Sequence, residues 1–160
     1  MNTKLLKLLN KDARTSVSDL AVMLGTDEES VRRDMDELER AGIIRGYKAV
    51  IDWERMNDAY VSAIIELKVT PKAGLGFEDV AAKVMQYPEV ESVYLMSGVY
   101  DLNVVVKGRT LHDVARFVAK ELSTIESVTS TATHFVLRRY KEMDVALLGE
   151  GVDERGSYLL

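Results

Sequence analysis

Apolar residues in the first 42 positions recur with the period of an α-helix, in three short segments. The spacing predicts helices over residues 4–10, 18–24 and about 27–41, each with one apolar stripe. The stripes are made by Leu5, Leu8, Leu9, Leu20, Ala21, Leu24, Val31, Met35 and Leu38. Gly25 ends the second helix, and the S/T-x-x-E run that begins at Thr26 is typical of a capping box in which the threonine caps the third. Three short helices with a glycine-containing turn between the last two predict a helix-turn-helix.

Beyond residue 60 the apolar period changes to two, which indicates β-structure. The expected order is strand, helix, two strands, helix and strand, over residues 61–69, 77–84, 93–96, 102–106, 110–122 and 127–140. The second of these helices is expected to start at a Thr110 cap and to bury Leu111, Val114, Ala115, Val118 and Leu122. A β-α-β-β-α-β order predicts a ferredoxin-like domain, so the fold class of the whole chain is α+β.

The turn between the two central strands reads Ser97-Gly98-Val99-Tyr100-Asp101. Gly98 is expected to supply the positive φ of a tight turn, since glycine adopts it without steric cost. Asp101 is expected either to fix the turn with its carboxylate or to present that carboxylate outward.

The predicted sheet carries apolar residues on both faces. The face opposite the predicted core carries apolar residues of its own, which are Ile64, Tyr94, Met96 and Val105. Two helices can cover only one face of a four-stranded sheet, and a large exposed apolar face is unusual in a monomer. We therefore expect the sheets of two copies to meet in a homodimer.

Residues 43–51 read as extended chain, like the wing of a winged helix, and the polar residues after them predict a hinge. The expected division is a winged helix-turn-helix domain, a hinge, a ferredoxin-like sensor and oligomerisation domain, and a C-terminal tail, over residues 1–52, 53–59, 60–143 and 144–160. The tail holds three glycines and four acids and ends in an apolar run. It is expected either to be flexible or to dock on a neighbouring copy.

Composition narrows the possible chemistry. The 160 residues include no cysteine, which excludes disulfides, thiolate metal sites and a cysteine nucleophile. Only two histidines are present, His112 and His134, and we expect no metal and no cofactor. No apolar run is long enough to cross a bilayer and no signal peptide is recognisable, so the expectation is a cytoplasmic protein without a membrane partner.

The formal net charge of −5 is unevenly distributed. Residues 1–50 hold nine basic and nine acidic residues, whereas 51–160 hold twelve and seventeen, so only the first region suits a polyanion. Arginines on an exposed helix face can pair with guanine and with phosphate, which makes double-stranded DNA the expected partner. The candidate DNA contacts are Arg14, Thr15, Ser30, Arg32, Arg33, Arg45 and Lys48. Glu28 and Glu29 lie four residues before the helix arginines and could pair with them instead, leaving only a solvated helix face.

These segments together resemble one family of proteins. The chain carries LLKLLNKDART and SVSDLAVMLGTDEESVRRDMDELERAGIIRGYKAVID, followed after the hinge by YLMSGVYDLNVVVKG and TSTATHFVLRRYKE. This ordered set, over residues 3–143, resembles the Lrp/AsnC (feast/famine) transcription regulators. The resemblance implies a winged-helix DNA-binding domain joined to a ferredoxin-like domain that dimerises through its sheets. It also implies further assembly into tetramers or octamers, and an amino acid bound at contacts between sheet domains.

The resemblance places an effector site on the central turn. The glycine and the aspartate of the family's G-x-Y-D loop fall on Gly98 and Asp101. The hypothesised effector-binding residues are Ser97, Gly98, Val99, Tyr100, Asp101, Thr131 and Thr133. A zwitterion needs a partner for each of its charges, which amides, hydroxyls and a carboxylate can supply. The alternative is that the loop is only a well-made turn and the threonines only part of a strand.

The function that follows is a sequence-specific DNA-binding regulator, not an enzyme, whose assembly or DNA binding responds to a small effector, expected to be an amino acid. One alternative is a sensor or assembly module of the same family that no longer binds DNA, because the third helix begins with acidic residues where the family usually has uncharged polar ones. The other alternative is an enzyme similar to the sirohaem decarboxylases. That enzyme needs a histidine in a pocket, whereas His134 is expected to pack within a strand and His112 to lie in the first turn of a helix.

Overall fold

The computed structural model describes residues 3–56, 60–71 and 76–147, and the chain divides into two compact units, Met1–Ala49 and Val50–Leu160. Each unit has its own apolar core. The predicted hinge over 53–59 and tail over 144–160 lie only partly within the described residues, and the domain limits drawn from the sequence stay predictions.

Three helices form the first unit. They are α1 (Thr3–Lys11), α2 (Val17–Leu24) and α3 (Glu28–Arg40). Their apolar stripes meet in one core, whose buried members are Leu5, Leu9, Leu20, Ala21, Val31 and Leu38. Gly25 ends α2 at a φ of 69°, a left-handed conformation that glycine adopts without strain. The helix-turn-helix predicted from the apolar spacing is therefore confirmed.

Asp27 caps α3, and the prediction of a Thr26 cap was wrong by one position. The Asp27 side chain accepts the Ser30 N–H at 2.8 Å, which satisfies one of the amides that the first helical turn leaves unpaired. The Thr26 amide instead donates to the Ala21 carbonyl at 3.0 Å and closes the end of α2. Because the turn between the helices is so short, Thr26 belongs to the end of one helix and only Asp27 can start the next.

Residues 43–52 follow α3 without forming a strand in the part of the chain that the structure describes. The amides of Ile43 and Ile44 donate to the Leu38 carbonyl at 2.9 and 3.2 Å, and Ile44 packs against the helical core. A wing consists of paired strands, and no second described strand is available to this segment. The expected wing is thus a single irregular segment.

The second unit is an antiparallel sheet of four strands with two helices. Its elements in chain order are β1 (Val61–Val69), α4 (Phe77–Val84), β2 (Val90–Leu95), β3 (Leu102–Gly108), α5 (Leu111–Lys120) and β4 (Val128–Phe135). Short 3₁₀ helices lie at Trp53–Arg55 and Leu122–Thr124. The strand order β2-β3-β1-β4 confirms the ferredoxin-like arrangement, in which β1 is paired along both of its edges.

One face of this sheet is covered by α4 and α5. Ala63, Ile65 and Leu67 alternate along β1 and are fully buried, as the period of two predicts. From the helices the core receives Val80, Val84, Val114, Phe117 and Val118. The core therefore lies between the two helices and one face of the sheet.

The buried stripe of α5 is rotated from the one that the sequence predicts. Leu111 is 55% exposed and Ala115 is also exposed, so these two expectations were wrong. Phe117 is buried in their place, because its ring packs edge-on against the ring of Tyr87, with 5.3 Å between centroids. Because the large Phe117 side chain faces the core, Leu111 and Ala115 face solvent.

The fourth strand is shorter than predicted, since β4 ends at Phe135 and not at Tyr140. The next amide, that of Val136, donates to the Ser62 carbonyl at 2.9 Å, and β1 begins only one residue before Ser62. A longer β4 would have no partner strand. The chain instead forms a small hairpin, β5 (Lys141–Glu142) and β6 (Val145–Ala146), that the sequence pattern does not indicate.

The opposite face of the sheet, the open sheet face, carries accessible apolar side chains among the described residues. Tyr94 and Met96 are about half exposed on this side, and Ile64 and Val105 are half-buried and paired in register. The apolar residues expected outside the core are therefore accessible, as a surface for a second copy requires.

Gly108 and Gly98 provide a matched pair of substitutions. A Cβ at Gly108 would lie 2.8 Å from Cγ2 of Val114, so Gly108→Ala is expected to lower the free energy of unfolding by about 1–3 kcal/mol through overpacking. A Cβ at Gly98 would meet no atom within 4 Å, so Gly98→Ala should change it by less than about 0.5 kcal/mol. Denaturant unfolding measures both values. Equal values for the two variants would contradict the close approach of α5 to β3.

Candidate DNA-binding helix and effector loop

The start of α3 is organised by Asp27. Its carboxylate accepts both the Ser30 N–H and the Ser30 hydroxyl, each at 2.8 Å. The backbone hydrogen bond from Ser30, followed by the side-chain one, lowers the pKa of Asp27. The negative charge is held against the positive end of the helix dipole, where an acid stabilises a helix. Asp27 therefore serves the helix itself, which accounts for part of the acidic start seen in the sequence.

The two arginines of α3 have weak intrahelical partners. Arg32 donates to Glu28 at 2.8 Å, as the i,i+4 spacing predicts, and both side chains are more than half exposed. Arg33 donates to the Ser30 hydroxyl at 2.9 Å and not to Glu29. An exposed ion pair contributes at most about 1 kcal/mol, so each guanidinium can exchange its partner for a phosphate or a base edge.

The remaining candidate DNA contacts flank α3 within the first unit. Arg14 and Thr15 lie together in the turn between α1 and α2, where the Arg14 amide and the Thr15 hydroxyl both donate to Asp12. Arg45 lies beyond α3 with its guanidinium against Gly42, and Lys48 follows in the irregular segment. The Arg14 guanidinium and Lys48 have no ion-pair partner among the described residues. The role of these seven residues in DNA binding stays a prediction.

The central turn is fixed to β1 by Asp101. Its carboxylate accepts the Val69 N–H at 2.7 Å, and its own amide donates to the Leu67 carbonyl at 3.0 Å. Lys68 adds a further link by donating to the Val99 carbonyl at 2.7 Å. Of the two possibilities that the sequence left open for Asp101, the structure shows the one in which the carboxylate fixes the turn.

Gly98 does not have the positive φ that was predicted for it. The turn spans residues 96–101 and is closed by a hydrogen bond from the Met96 amide to the Asp101 carbonyl, so it is wide enough to need no left-handed residue. Ser97, Gly98 and Val99 are exposed, and Val99 is 76% exposed. The backbone of the loop is therefore exposed at Gly98. Neither the φ angle nor the packing at this position requires a glycine.

The two candidate threonines of β4 lie on the helix-covered face of the sheet. Thr131 is in register with Leu67 and Thr133 with Ile65, whose side chains are buried under the helices. Thr131 is half-buried and Thr133 exposed, since β4 is an edge strand. Two strand spacings, about 10 Å, separate Thr131 from Leu102 at the end of the turn. Thr131 is therefore the nearer of the two to the loop.

Arg139 forms a polar centre that sequence reasoning missed. Its guanidinium donates to the buried hydroxyl of Ser62 at 2.6 Å and stacks over the Tyr60 ring at 5.5 Å. Its backbone N–H donates to Glu54 at 3.1 Å, and Tyr60 also contacts the Trp53 ring at 5.7 Å. The backbone and the side chain of Arg139 together link the 3₁₀ helix before β1 to the sheet. The local pattern around Arg139 predicts a strand. The one signal of the polar centre in the sequence is Ser62, a polar residue on the outer face of β1.

The two histidines lie on different elements. His134 Nε2 is 3.1 Å from a Glu66 oxygen on the open sheet face, and His112 is exposed in the first turn of α5. Among the described residues no group of three metal-ligating side chains is arranged to hold an ion. In the same part of the chain, no helix is long and apolar enough to cross a membrane.

Two family models match the chain, one for each unit. The AsnC-type helix-turn-helix domain matches residues 1–39, and the Lrp/AsnC ligand binding domain matches residues 62–146. With the geometry above, they define a helix-turn-helix transcription regulator built from a DNA-binding unit and a ferredoxin-like unit. The chain belongs to the Lrp/AsnC family of transcription regulators.

Individual relatives extend over nearly the whole chain. It is 45% identical over 154 residues to YugG, an uncharacterised HTH-type transcriptional regulator of Bacillus subtilis, covering 96% of this chain and 92% of that protein. It is 31% identical to the HTH-type transcriptional regulator LysM of Saccharolobus solfataricus, covering 86% and 92%.

Solved structures share the fold. A transcriptional regulator from Neisseria meningitidis, determined as a complex with L-methionine, matches with a TM-score of 0.70 at 27% identity, covering 87% of this chain and 89% of that one. AsnC of Escherichia coli matches with a TM-score of 0.66 at 24% identity, covering 86% and 91%, and supports the fold alone.

Replacing Arg139 tests the polar centre. Arg139→Ala leaves the buried Ser62 hydroxyl without its charged partner, so the free energy of unfolding is expected to fall by about 2 kcal/mol. Arg55→Ala is the control, since it removes a mostly exposed arginine of the same unit that pairs with Asp52, and it should cost less than about 0.5 kcal/mol. Denaturant unfolding measures both, and similar small values would show that Arg139 does not stabilise the unit.

Proposed function

We propose that this regulator binds double-stranded DNA through the exposed face of α3, with Ser30, Arg32 and Arg33 in the major groove. The observation that carries the proposal is that both arginines lie on the surface and are held only by a hydroxyl and an exposed carboxylate. Bidentate arginine contacts to guanine give sequence discrimination. The phosphates on either side are contacted by Arg14, Thr15, Arg45 and Lys48.

The acidic start of α3 is compatible with this role. Asp27 is occupied as the cap, and Glu28 is neutralised by Arg32. DNA binding then exchanges the Arg32 pair with Glu28 for a contact to phosphate or base. Glu28 therefore weakens DNA binding without preventing it, because an exposed ion pair is easily opened in water.

The effector of the proposed mechanism is an amino acid bound at the loop 97–101. The Neisseria meningitidis relative was solved with L-methionine, which supports this class of ligand. The exposed backbone around Gly98 offers amides for the ligand carboxylate, and the Lys68 ammonium lies beside Val99. The Asp101 oxygen that is not hydrogen-bonded to Val69 is the candidate partner for the ligand ammonium, with Thr131 and Thr133 at the margin.

Assembly links the effector to DNA in this proposal. Two copies meet through the open sheet face that carries Ile64, Tyr94 and Val105, and the dimers associate into a tetramer or an octamer. An effector that binds one arrangement of the copies more tightly shifts the population towards it and changes the spacing of the DNA-binding units. The protein acts in the cytoplasm as a regulator and not as an enzyme.

Substitutions on α3 test the DNA-binding surface. Arg32→Ala and Arg33→Ala are each expected to weaken binding about 5- to 100-fold, since each removes a base or phosphate contact. Glu28→Gln is expected to tighten it by up to about fivefold, because it frees Arg32 and removes a repulsive charge. Fluorescence polarisation against DNA upstream of the protein's own gene, at two salt concentrations, measures these affinities.

The control for charge is Glu78→Gln, which removes an exposed acid from the first turn of α4 in the other unit and should leave the affinity unchanged. Unrelated DNA is the control for specificity. Unaltered affinity in both arginine variants would place the recognition surface elsewhere on the first unit.

Enlarging Gly98 tests the effector loop. Gly98→Val puts a branched side chain into open space at the loop backbone, so it should fold normally and lose the response to amino acids. The response is measured as the thermal shift and the change of oligomer size in sedimentation on adding a panel of amino acids that includes L-methionine. Ala82→Val, which introduces the same branched side chain on the exposed face of α4, is the control. If no amino acid changes either quantity in the unaltered protein, the effector proposal fails.

A further inference from the structure

A cleft lies at the end of the sheet away from the effector loop. It has a volume of about 690 Å³ and is formed by the end of β3, one face of α5, the turn before β2 and the Tyr60 ring. That volume is within the usual range for small-molecule sites, roughly 300–1,000 Å³. The seven residues of β3, about 20 Å of extended chain, separate it from the loop 97–101.

The cleft is rich in charge, and much of that charge is already paired. On the α5 side, Asp113 is bound by the Thr110 hydroxyl at 2.9 Å and by Arg116 at 2.8 Å. Glu121 accepts a hydrogen bond from the Tyr87 side chain. Lys107 lies 3.7 Å from a carboxylate oxygen of Glu91. These groups shape the walls of the cleft, and a ligand that bound Arg116 or Lys107 would first have to displace its carboxylate partner.

Four charged lining side chains have no ion-pair partner within the described residues: Arg109, Lys120, Glu89 and Glu121. Lys120 is at the end of α5, one turn beyond Arg116 on the same face, and Arg109 directly follows β3. The two cations therefore border one cleft from two different elements. The two carboxylates without an ion pair are Glu89 in the turn before β2 and Glu121, which directly follows Lys120. Pro88, Phe117 and the Tyr60 ring provide apolar wall between the charged groups.

We propose that this cleft binds a small organic anion with two acidic groups, one held by Arg109 and the other by Lys120. A dicarboxylate matches the two unpaired cations, and the apolar wall accommodates the carbon chain between its carboxylates. Glu89 provides a partner for an ammonium group, so a dicarboxylate that carries one binds more tightly than one that does not. The proposal does not depend on the amino-acid site at the loop 97–101, which uses other residues.

The chain carries its own reporter for this site. Trp53 is the only tryptophan in the sequence, and its ring lies 5.7 Å from the Tyr60 ring that lines the cleft. A ligand that contacts Tyr60 changes the surroundings of Trp53. Tryptophan fluorescence of the full-length protein therefore measures binding without a label.

The test is a titration with glutarate and with L-glutamate, followed by Trp53 fluorescence and in parallel by calorimetry, with sodium chloride added to keep the ionic strength constant. We expect saturable binding of both, tighter for L-glutamate, and binding about tenfold weaker in Arg109→Gln and in Lys120→Gln. Lys83→Gln is the matched control, since Lys83 is the basic residue in the last turn of α4 as Lys120 is in the last turn of α5. Its affinities should equal those of the unaltered protein.

The loop variant separates the two sites. Gly98→Val should bind glutarate as tightly as the unaltered protein, and Arg109→Gln should keep its thermal response to the amino-acid effector. Absence of saturable heat and fluorescence change up to about 10 mM of either compound would overturn the proposal. Equal affinities in the unaltered protein, Arg109→Gln and Lys120→Gln would also overturn it, as would loss of glutarate binding in Gly98→Val alone.

Discussion

The pairing of β1 along both edges is the constraint on which the second unit depends. β3 and β4 occupy its two sides, and the inward side chains Ala63, Ile65 and Leu67 are fully buried beneath the helices. A strand held in this way cannot shift its register, because a slip of one residue would move its apolar side chains to the other face. Everything attached to the ends of β1 is therefore placed by the sheet.

Both ends of β1 are closed by side chains from elsewhere in the chain. At one end the Asp101 carboxylate accepts the Val69 amide, beside an irregularity in the register of β1 and β4. At the other end Arg139 binds Ser62, close to the first residue of β1, beyond which β4 has no strand to pair with. The proposed effector loop is at the first end, and the proposed anion cleft with Tyr60 is at the second. The same strand therefore connects the two proposed sites.

In the first unit the main constraint is local and concerns the backbone amides at the start of α3. A short turn between α2 and α3 leaves few residues to satisfy the amides at the start of α3, and Asp27 does so with its charge. An acid is favourable there for the helix and unfavourable near a polyanion. The pairing of Glu28 with Arg32 reduces the repulsion between the acidic start of α3 and a polyanion. What looked in the sequence like an argument against DNA binding is largely the chemistry of starting a helix.

The sequence by itself determined the elements and their order. The helical stripes of the first unit, the alternation of β1 and the β-α-β-β-α-β order follow from side-chain periods, because those periods are properties of the local backbone. The candidate arginines on α3 could be chosen in the same way, since exposure on a helix follows from spacing. The family was recognisable from the same segments, and the match extends through both units.

Only the tertiary structure decided where the strands end and which side chains contact each other. Where β4 stops depends on where β1 begins, and the rotation of α5 depends on the contact between Phe117 and Tyr87. Gly98 has no positive φ because the width of its turn is set by the strands that it joins. The contact of Arg139 with Ser62, and the cleft that Tyr60 shares with Arg109 and Lys120, unite residues far apart in the chain. No local period records such contacts, so only the folded chain shows them.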